Sequence, residues 1–198
     1  MMKQQEDALV NHLAQFVSDH KKKFVEKVLA NRTRYVTLVL EDIFQSQNAS
    51  AVIRTAECMG LQEVHIVENT ATYQLNVRVL KGSYKWMDLH RYHDNSVDNT
   101  AVCYAKLKAE GYTILATSPD EDGESVHDID LSEGKLAIVF GNELRGCSRY
   151  ATEHAHKKIR IPMYGFTESL NISVCVGMCL NTVIPKLHQS ALPFHLTE

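Results

Sequence analysis

Apolar and polar positions fall into blocks along the chain, and the period changes from block to block. Near the start, Leu9, Leu13, Phe16 and Val17, then Phe24, Val28 and Leu29, recur at helical spacing among charges. Residues 5–30 therefore read as a helix or a helix pair. Tyr35-Val-Thr-Leu-Val-Leu40 is an almost unbroken apolar run rich in branched side chains, the mark of a buried strand. Asn48 is placed to cap a helix through Met59, with Gly60 closing it. Val64-His-Ile-Val67 is the next strand. Residues 70–95 show no clear period, and Lys81, Gly82, Ser83, Lys85 and Trp86 read as loop. Asn99 to Glu110 is an amphipathic helix stopped by Gly111, and Tyr112 to Thr117 is a strand. An acidic loop precedes the buried strand Leu136-Ala-Ile-Val-Phe140. A last strand lies near Ile159–Ile161, and a final helix spans about Asn171 to Ile184, with Pro185 near its end.

Apolar strands alternating with helices predict a single α/β domain, with a mostly parallel sheet covered by helices on both faces. Residues 1–34 form an N-terminal helical extension in this reading, and residues 35–198 the domain proper. In such sheets ligands sit outside the carboxyl ends of the strands. Thr117, Gly141 and Met163 stand at three of those ends. Neither the Gly-x-Gly-x-x-Gly fingerprint nor a P-loop is present, which argues against a dinucleotide held in the usual way and against a nucleoside triphosphate.

Composition narrows the picture only a little. With 198 residues, 44% apolar and 23% charged, the chain is an ordinary globular one. No apolar run approaches the roughly 18 residues that cross a membrane. Met1 to Asp7 is polar and mixed in charge, unlike a signal or transit peptide, so a cytoplasmic protein is expected. The five cysteines (58, 103, 147, 175 and 179) contain no Cys-x-x-Cys pair and read as core thiols, with Cys175 and Cys179 one helical turn apart. Ten histidines contain no His-Glu-x-x-His pattern. His154 and His156 alternate on what reads as a strand approach, with solvated rings. No metal site is expected.

Charge matters by its placement. The net charge is −3, but from His20 to Arg34 six bases (Lys21, Lys22, Lys23, Lys27, Arg32 and Arg34) face one acid, Glu26. From Asp120 to Glu133 there are seven acids and no Lys or Arg. A solvated helix face and a polyanion-binding face both accommodate the basic run.

The segment Ile159-Arg-Ile-Pro-Met-Tyr-Gly-Phe-Thr-Glu-Ser-Leu-Asn-Ile-Ser-Val174 carries the candidate chemistry. A strand runs into a glycine-containing loop, and a Ser-Leu-Asn triplet opens straight into an apolar helix. Backbone N–H groups and the helix dipole converge on a ligand at such a junction.

Three segments together resemble the motifs of the SpoU group of RNA ribose 2′-O-methyltransferases, in the SPOUT class. They are Asn48-Ala-Ser-Ala-Val-Ile-Arg-Thr-Ala56, Ile138-Val-Phe-Gly-Asn-Glu-Leu-Arg-Gly-Cys-Ser148, and Ile161-Pro-Met163 with Ser169-Leu-Asn171. They occur in the family's order within residues 35–185. Asn31-Arg-Thr-Arg-Tyr35, Leu40-Glu-Asp42, Gly82-Ser-Tyr-Lys-Trp86 and the N-terminal extension are similar to its TrmH branch, which methylates guanosine-18 of tRNA. The resemblance implies S-adenosylmethionine as methyl donor, a homodimer, and a C-terminal trefoil knot around the cofactor pocket, which no spacing argument would predict because knots are near-absent in proteins. One departure is visible. The chain ends soon after Pro193-Phe-His-Leu-Thr-Glu198, where members of the branch often continue into a further helix that helps hold tRNA. That bears on tRNA affinity, not on the methyl-transfer site.

Arg54 matches the family's catalytic arginine. With a pKa above about 12 it is no base near neutral pH, so it reads as a phosphate clamp and oxyanion stabiliser; the family has also been discussed with this arginine as general base. Asn48 reads as both helix cap and site residue. Glu143 is expected to organise the motif loops through Arg54 or backbone N–H groups. Ser169 and Asn171 shape the cofactor and ribose pocket by the same resemblance. Thr117, Gly141, Ile161, Met163 and Leu170 are the expected cofactor contacts, with Gly141 letting the backbone approach the ligand. Lys21, Lys22, Lys23, Arg32 and Arg34 would contact tRNA phosphates. The rival readings are methylation of ribosomal RNA or of another tRNA position, a non-catalytic RNA-binding relative, and a nucleotide-dependent oxidoreductase.

Overall fold

The computed structural model describes residues 2–74, 76–120, 122–167 and 169–196. Glu121 of the acidic run, Glu168 of the third motif, and Thr197 and Glu198 lie outside the described residues.

Seven strands make one sheet, β1 (Val36–Glu41), β2 (Glu63–Val67), β3 (Asp88–Tyr92), β4 (Tyr112–Thr117), β5 (Glu124–Ser125), β6 (Lys135–Phe140) and β7 (Lys157–Arg160). Their order is β3-β2-β1-β6-β4-β7-β5, and every adjacent pair is parallel. Parallel strands need crossovers. The helices that supply them are α3 (Ser46–Cys58), α4 (Val77–Leu80), α5 (Asn99–Ala109) and α6 (Arg149–His154), and α7 (Ile172–Gln189) ends the chain's regular structure.

The strands read as unbroken apolar runs because both faces are covered. On one face Val36, Leu38, Leu40, Leu136, Ile138 and Phe140 pack with Val52, Ile53 and Ala56 of α3 and Val176, Leu180 and Val183 of α7. On the other, Val39, Ala137, Val139 and Ile114 pack with Cys103, Tyr104 and Leu107 of α5 and Ala151 of α6. The period-2 alternation of β1 and β6 between these two cores is what fixes their register (Leu38 beside Ile138).

Several expectations need correcting. The 70–95 stretch holds β3, the short α4 and a 3₁₀ turn over Ser83–Trp86. β3 was hidden because its sequence, Asp-Leu-His-Arg-Tyr, is mostly polar, as suits an edge strand. The acidic stretch contains β5, and its charge is partly matched by Lys157 (2.8 Å to Glu133) and Lys158 (3.3 Å to Asp120 and to Asp122). His154 closes α6 just before β7, and both His154 and His156 are exposed, although His156 Nδ1 also accepts the Ile114 N–H at 2.8 Å. α7 continues past Pro185 to Gln189. All five cysteines are free, but Cys58 is exposed.

The N-terminal stretch is a helix pair, α1 (Met2–Ala14) and α2 (Asp19–Leu29), with Ser18 Oγ accepting the Lys21 N–H at the start of α2. Leu9, Val10, Leu13 and Phe16 are exposed in this single chain. No helix of the described residues is long and apolar enough to cross a membrane.

Candidate functional site

The second and third motifs meet at the carboxyl ends of β6, β4 and β7, where the sheet order brings β4 between β6 and β7, and Asn48 of the first motif reaches both from the start of α3. A cavity of about 370 Å³ opens there. Thr117, Gly141, Ile161, Met163, Ser169 and Leu170 line it, together with Glu143 and the rest of the 141–146 loop. Its floor is apolar, from Phe140, Ile159, Ile172 and Cys179.

The 141–146 loop closes on itself. Asn142 N–H donates to the Gly146 carbonyl (3.1 Å), Gly146 N–H donates back to the Asn142 carbonyl (2.9 Å), and Asn142 Oδ1 accepts the Leu144 and Arg145 N–H groups (3.0 and 2.8 Å). The closure explains Gly141 differently from a ligand approach: a Cβ there would lie 1.9 Å from the Gly146 carbonyl carbon. The glycine is required by its own loop.

Asn48 joins all three motifs. Its Nδ2 donates to Glu143 Oε1 at 2.7 Å, and its Oδ1 accepts from Asn171 Nδ2 at 3.2 Å. It does not cap α3. That helix begins at Ser46 with Gln45 before it, so Asn48 sits inside the first turn with its side chain turned to the site. Asn171 caps α7, its Oδ1 accepting the Ser173 N–H (2.9 Å), while its amide reaches Asn48; it does not itself line the cavity. Glu143 is organised through Asn48 rather than Arg54. Its second oxygen, Oε2, is buried without a hydrogen-bond partner among the described residues, and a buried lone carboxylate oxygen is costly until a donor arrives.

Arg54 is exposed on α3 and does not line the cavity. Six residues after Asn48, it points about 240° further round the helix. Within one chain the structure therefore separates Arg54 from the Asn48–Glu143–Asn171 cluster.

Cys147 and Cys179 are pushed up to about 12 by burial, so neither is a thiolate nucleophile near the cavity. Cys175, which also lines the cavity, is raised by burial as well, so the wall presents hydrogen-bonding groups rather than a thiolate.

The basic residues divide. Lys21 and Lys23 are exposed on α2, and Lys22 pairs with Asp19 at 3.3 Å. Arg32, read as a phosphate contact, is only 3% exposed. Its guanidinium donates to the carbonyls of Leu61 and Trp86 (both 2.7 Å), to Gln62 (2.6 Å) and to Glu57 (3.4 Å), tying α3, β2 and the 83–86 turn together. Arg34 is half-exposed and already pairs with Glu63 and Asp88. Sequence reasoning missed Ser118, Pro119 and Arg145 of the cavity wall, which stand beside predicted positions and carry no signal of their own.

At the far edge of the sheet Glu63, His65 and His90 come together, with ligating atoms within 4.8 Å of one another. The Glu63 carboxylate is occupied there by the Tyr112 hydroxyl (2.7 Å) and the Arg34 guanidinium, so the cluster reads as an ion-paired network.

Comparison with known proteins agrees with this geometry. The chain is 42% identical over 186 residues to a tRNA (guanosine(18)-2'-O)-methyltransferase of Borreliella burgdorferi, covering 94% of this chain and 83% of that one. It is 32% identical over 163 residues to the tRNA (guanosine(18)-2'-O)-methyltransferase of Thermus thermophilus, covering 82% and 81%. The fold resembles the crystal structure of the A. aeolicus TrmH/SpoU tRNA modifying enzyme, with TM-score 0.75 and 28% identity over 86% of this chain and 84% of that one. Residues 35–181, which span the whole sheet and all three motifs, match the model of the SpoU rRNA Methylase family, and the chain belongs to that family.

Proposed function

We propose that this chain transfers a methyl group from S-adenosylmethionine to a ribose 2′-hydroxyl of RNA, at guanosine-18 in the D-loop of tRNA. The single observation that carries the reading is Asn48, whose one amide links Glu143 and Asn171 at the mouth of a cavity walled by all the expected cofactor positions. The guanosine-18 assignment draws on the relatives' activity.

The residues present suit this donor. Loop backbone at Thr117, Gly141, Ile161, Met163 and Leu170 surrounds an apolar floor, which accepts a flat heterocycle and reads it through main-chain groups. Glu143 Oε2 supplies an unpaired buried acceptor for a donor-bearing ligand. When bound, S-adenosylmethionine supplies an electrophilic methyl group on a sulfonium.

The chain's own contribution is orientation and charge stabilisation. Asn48 holds Glu143 and Asn171 in fixed relation, and Ser169 stands beside them on the cavity wall. Arg54 clamps phosphate and stabilises the negative charge that develops on the 2′-oxygen. Because Arg54 faces away from the cluster, the working site is completed when RNA and a second copy of the chain are in place. The homodimer covers the exposed apolar side chains beside the cavity, Leu144, Tyr164, Phe166, Val174 and Met178. The exposed lysines of the 1–34 extension meet tRNA phosphates. The C-terminal part threads as a trefoil knot, a reading supported by the proximity of the 141–146 and 161–171 segments at one cavity. The protein works in the cytoplasm.

The test is methyl transfer from labelled S-adenosylmethionine to unmodified tRNA transcript, mapped by ribose-methylation-sensitive cleavage. The expected result is a single 2′-O-methyl at the D-loop guanosine, with Arg54→Ala abolishing transfer while cofactor affinity stays nearly unchanged. Methylation of ribosomal RNA alone would move the substrate assignment. Loss of cofactor binding in Arg54→Ala would place Arg54 on the wrong side of the pocket.

A further inference from the structure

One buried acid takes no part in holding the ligand or its neighbours in the cluster. Glu41 ends β1 at 2% exposure. Its Oε2 accepts the Ser148 N–H at 2.7 Å, and its Oε1 accepts the Ser148 hydroxyl at 2.8 Å and the Thr100 hydroxyl at 2.5 Å. Ser148 Oγ in turn accepts the Ala151 N–H at 3.0 Å as the cap of α6. That bond uses the serine's lone pair, so its proton is directed to Glu41. A capping serine needs only the Ala151 bond. A buried carboxylate gripping both its amide and its hydroxyl costs desolvation, and what it adds is a fixed position.

The position is that of the site loop. Ser148 ends the motif that begins at Gly141, lines the cavity and carries Glu143. Glu143 is held in turn by Asn48. The short segment from Glu41 to Asn48 thus touches the loop twice, at Ser148 and at Glu143. Its bend is anchored as well. Asp42 adopts φ 52°, and its Oδ1 accepts the N–H groups of Asn69, Thr70 and Ala71 at 2.7, 2.8 and 3.1 Å.

We propose that Glu41 is a positioning residue of the methyl-transfer site: through Ser148 it registers the 141–148 loop against β1 and so sets the shape of the cofactor cavity. The proposal rests on the reading that this cavity holds S-adenosylmethionine. Glu41 touches no ligand; its effect is carried by the loop.

Three variants test it, Glu41→Gln, Ser148→Ala and Thr100→Val, with S-adenosylmethionine affinity by calorimetry, KM for tRNA, and amide hydrogen exchange across residues 142–148. Glu41→Gln should weaken cofactor binding about tenfold, the scale of a lost charge-assisted hydrogen bond, and leave KM for tRNA within about twofold. Exchange at Leu144 to Ser148 should speed up about tenfold while the sheet's amides keep their rates. Adding Ser148→Ala to Glu41→Gln should cost no further affinity, because both changes cut one path. Thr100→Val, which removes the hydroxyl between Glu41 and Asn69 and leaves the Glu41–Ser148 bonds in place, should bind the cofactor like wild type. A Glu41→Gln protein with wild-type affinity and wild-type loop exchange overturns the proposal, as does an effect that adds fully to that of Ser148→Ala. Should Glu41→Gln not fold, Glu41→Asp, which keeps the charge and withdraws the carboxylate by one methylene, gives the same comparison. A wild-type protein that binds no S-adenosylmethionine sinks the cofactor reading instead, and the exchange data then decide the clamp by themselves.

Discussion

A methyl group on Gly141 would sit 1.9 Å from the carbonyl carbon of Gly146 and 2.0 Å from the amide nitrogen of Cys147. Both atoms are backbone, and both belong to a loop already closed by the two Asn142–Gly146 hydrogen bonds. No side-chain rotation relieves such a contact, so Gly141→Ala has to open the loop. The expected cost is about 3 kcal/mol, the upper range for overpacking a tight site, or a fall of about 6–12 °C in Tm for a chain of this size. Cofactor binding should be lost at temperatures where the variant remains folded. Differential scanning calorimetry beside a cofactor titration checks both, and a variant with wild-type Tm would show that the loop closes less tightly than described. The need for glycine here was legible in the sequence, but its reason was not. The same holds for Asn48, whose place before an apolar run looked like a helix cap, because cap and bridge ask for the same side chain. Arg32 misled for the opposite reason. A guanidinium in a basic run looks solvated, and only the folded chain reveals the two carbonyls and two side chains that surround it.

Elements with a strong period were read almost to the residue, as with α5 (Asn99–Ala109) and β4 (Tyr112–Thr117). Those missed were short or polar: α4, α6 and the edge strands β3 and β5, whose lengths of two to six residues leave no room for a period to register. The basic run divides once its elements are known. Of its six bases, Arg32 is buried, Arg34 pairs with Glu63 and Asp88, and Lys22 leans on Asp19, which leaves Lys21, Lys23 and Lys27 exposed on α2; of these, Lys21 and Lys23 are the two expected to meet phosphate. If these two lysines each neutralise a phosphate, reversing both to Glu should reduce the slope of log affinity for tRNA against log salt by about 1.4–1.8. Cofactor affinity, set at the other end of the sheet, should not move. Filter binding across a salt series measures the slope, and an unchanged one returns α2 to an ordinary solvated helix.

At the scale of the whole molecule, parallel pairing followed from alternation, whereas the two edge strands β3 and β5 and the strand order did not. Nothing local in β4 says that it must lie between β6 and β7, yet that order is what sets the second and third motifs around one cavity, while β1 beside β6 lets Asn48 of the first reach them. Order also decides what meets at the opposite edge. There the register of β2 with β3 places His65 beside His90, rings stacked with centroids 4.7 Å apart, and next to Glu63, Tyr92 and Lys106. Burial is the main cause that holds His65 below its ordinary pKa, and Glu63 offsets this only in part. A histidine whose folded-state pKa is depressed binds a proton more readily when unfolded, so its contribution to stability is complete above about pH 6.5 and is lost as pH falls below it. Urea unfolding at pH 7.5, 6.5 and 5.5 should therefore show wild-type stability declining across this window, with a slope that one proton limits to about 1.4 kcal/mol per pH unit. His65→Gln, which cannot titrate, should start less stable and lose less over the same range, so that the two curves converge as the medium becomes acidic. Parallel curves would mean that His65 keeps its ordinary pKa inside the sheet, and the unpartnered Nε2 found there would then have to be close to water or to a proton.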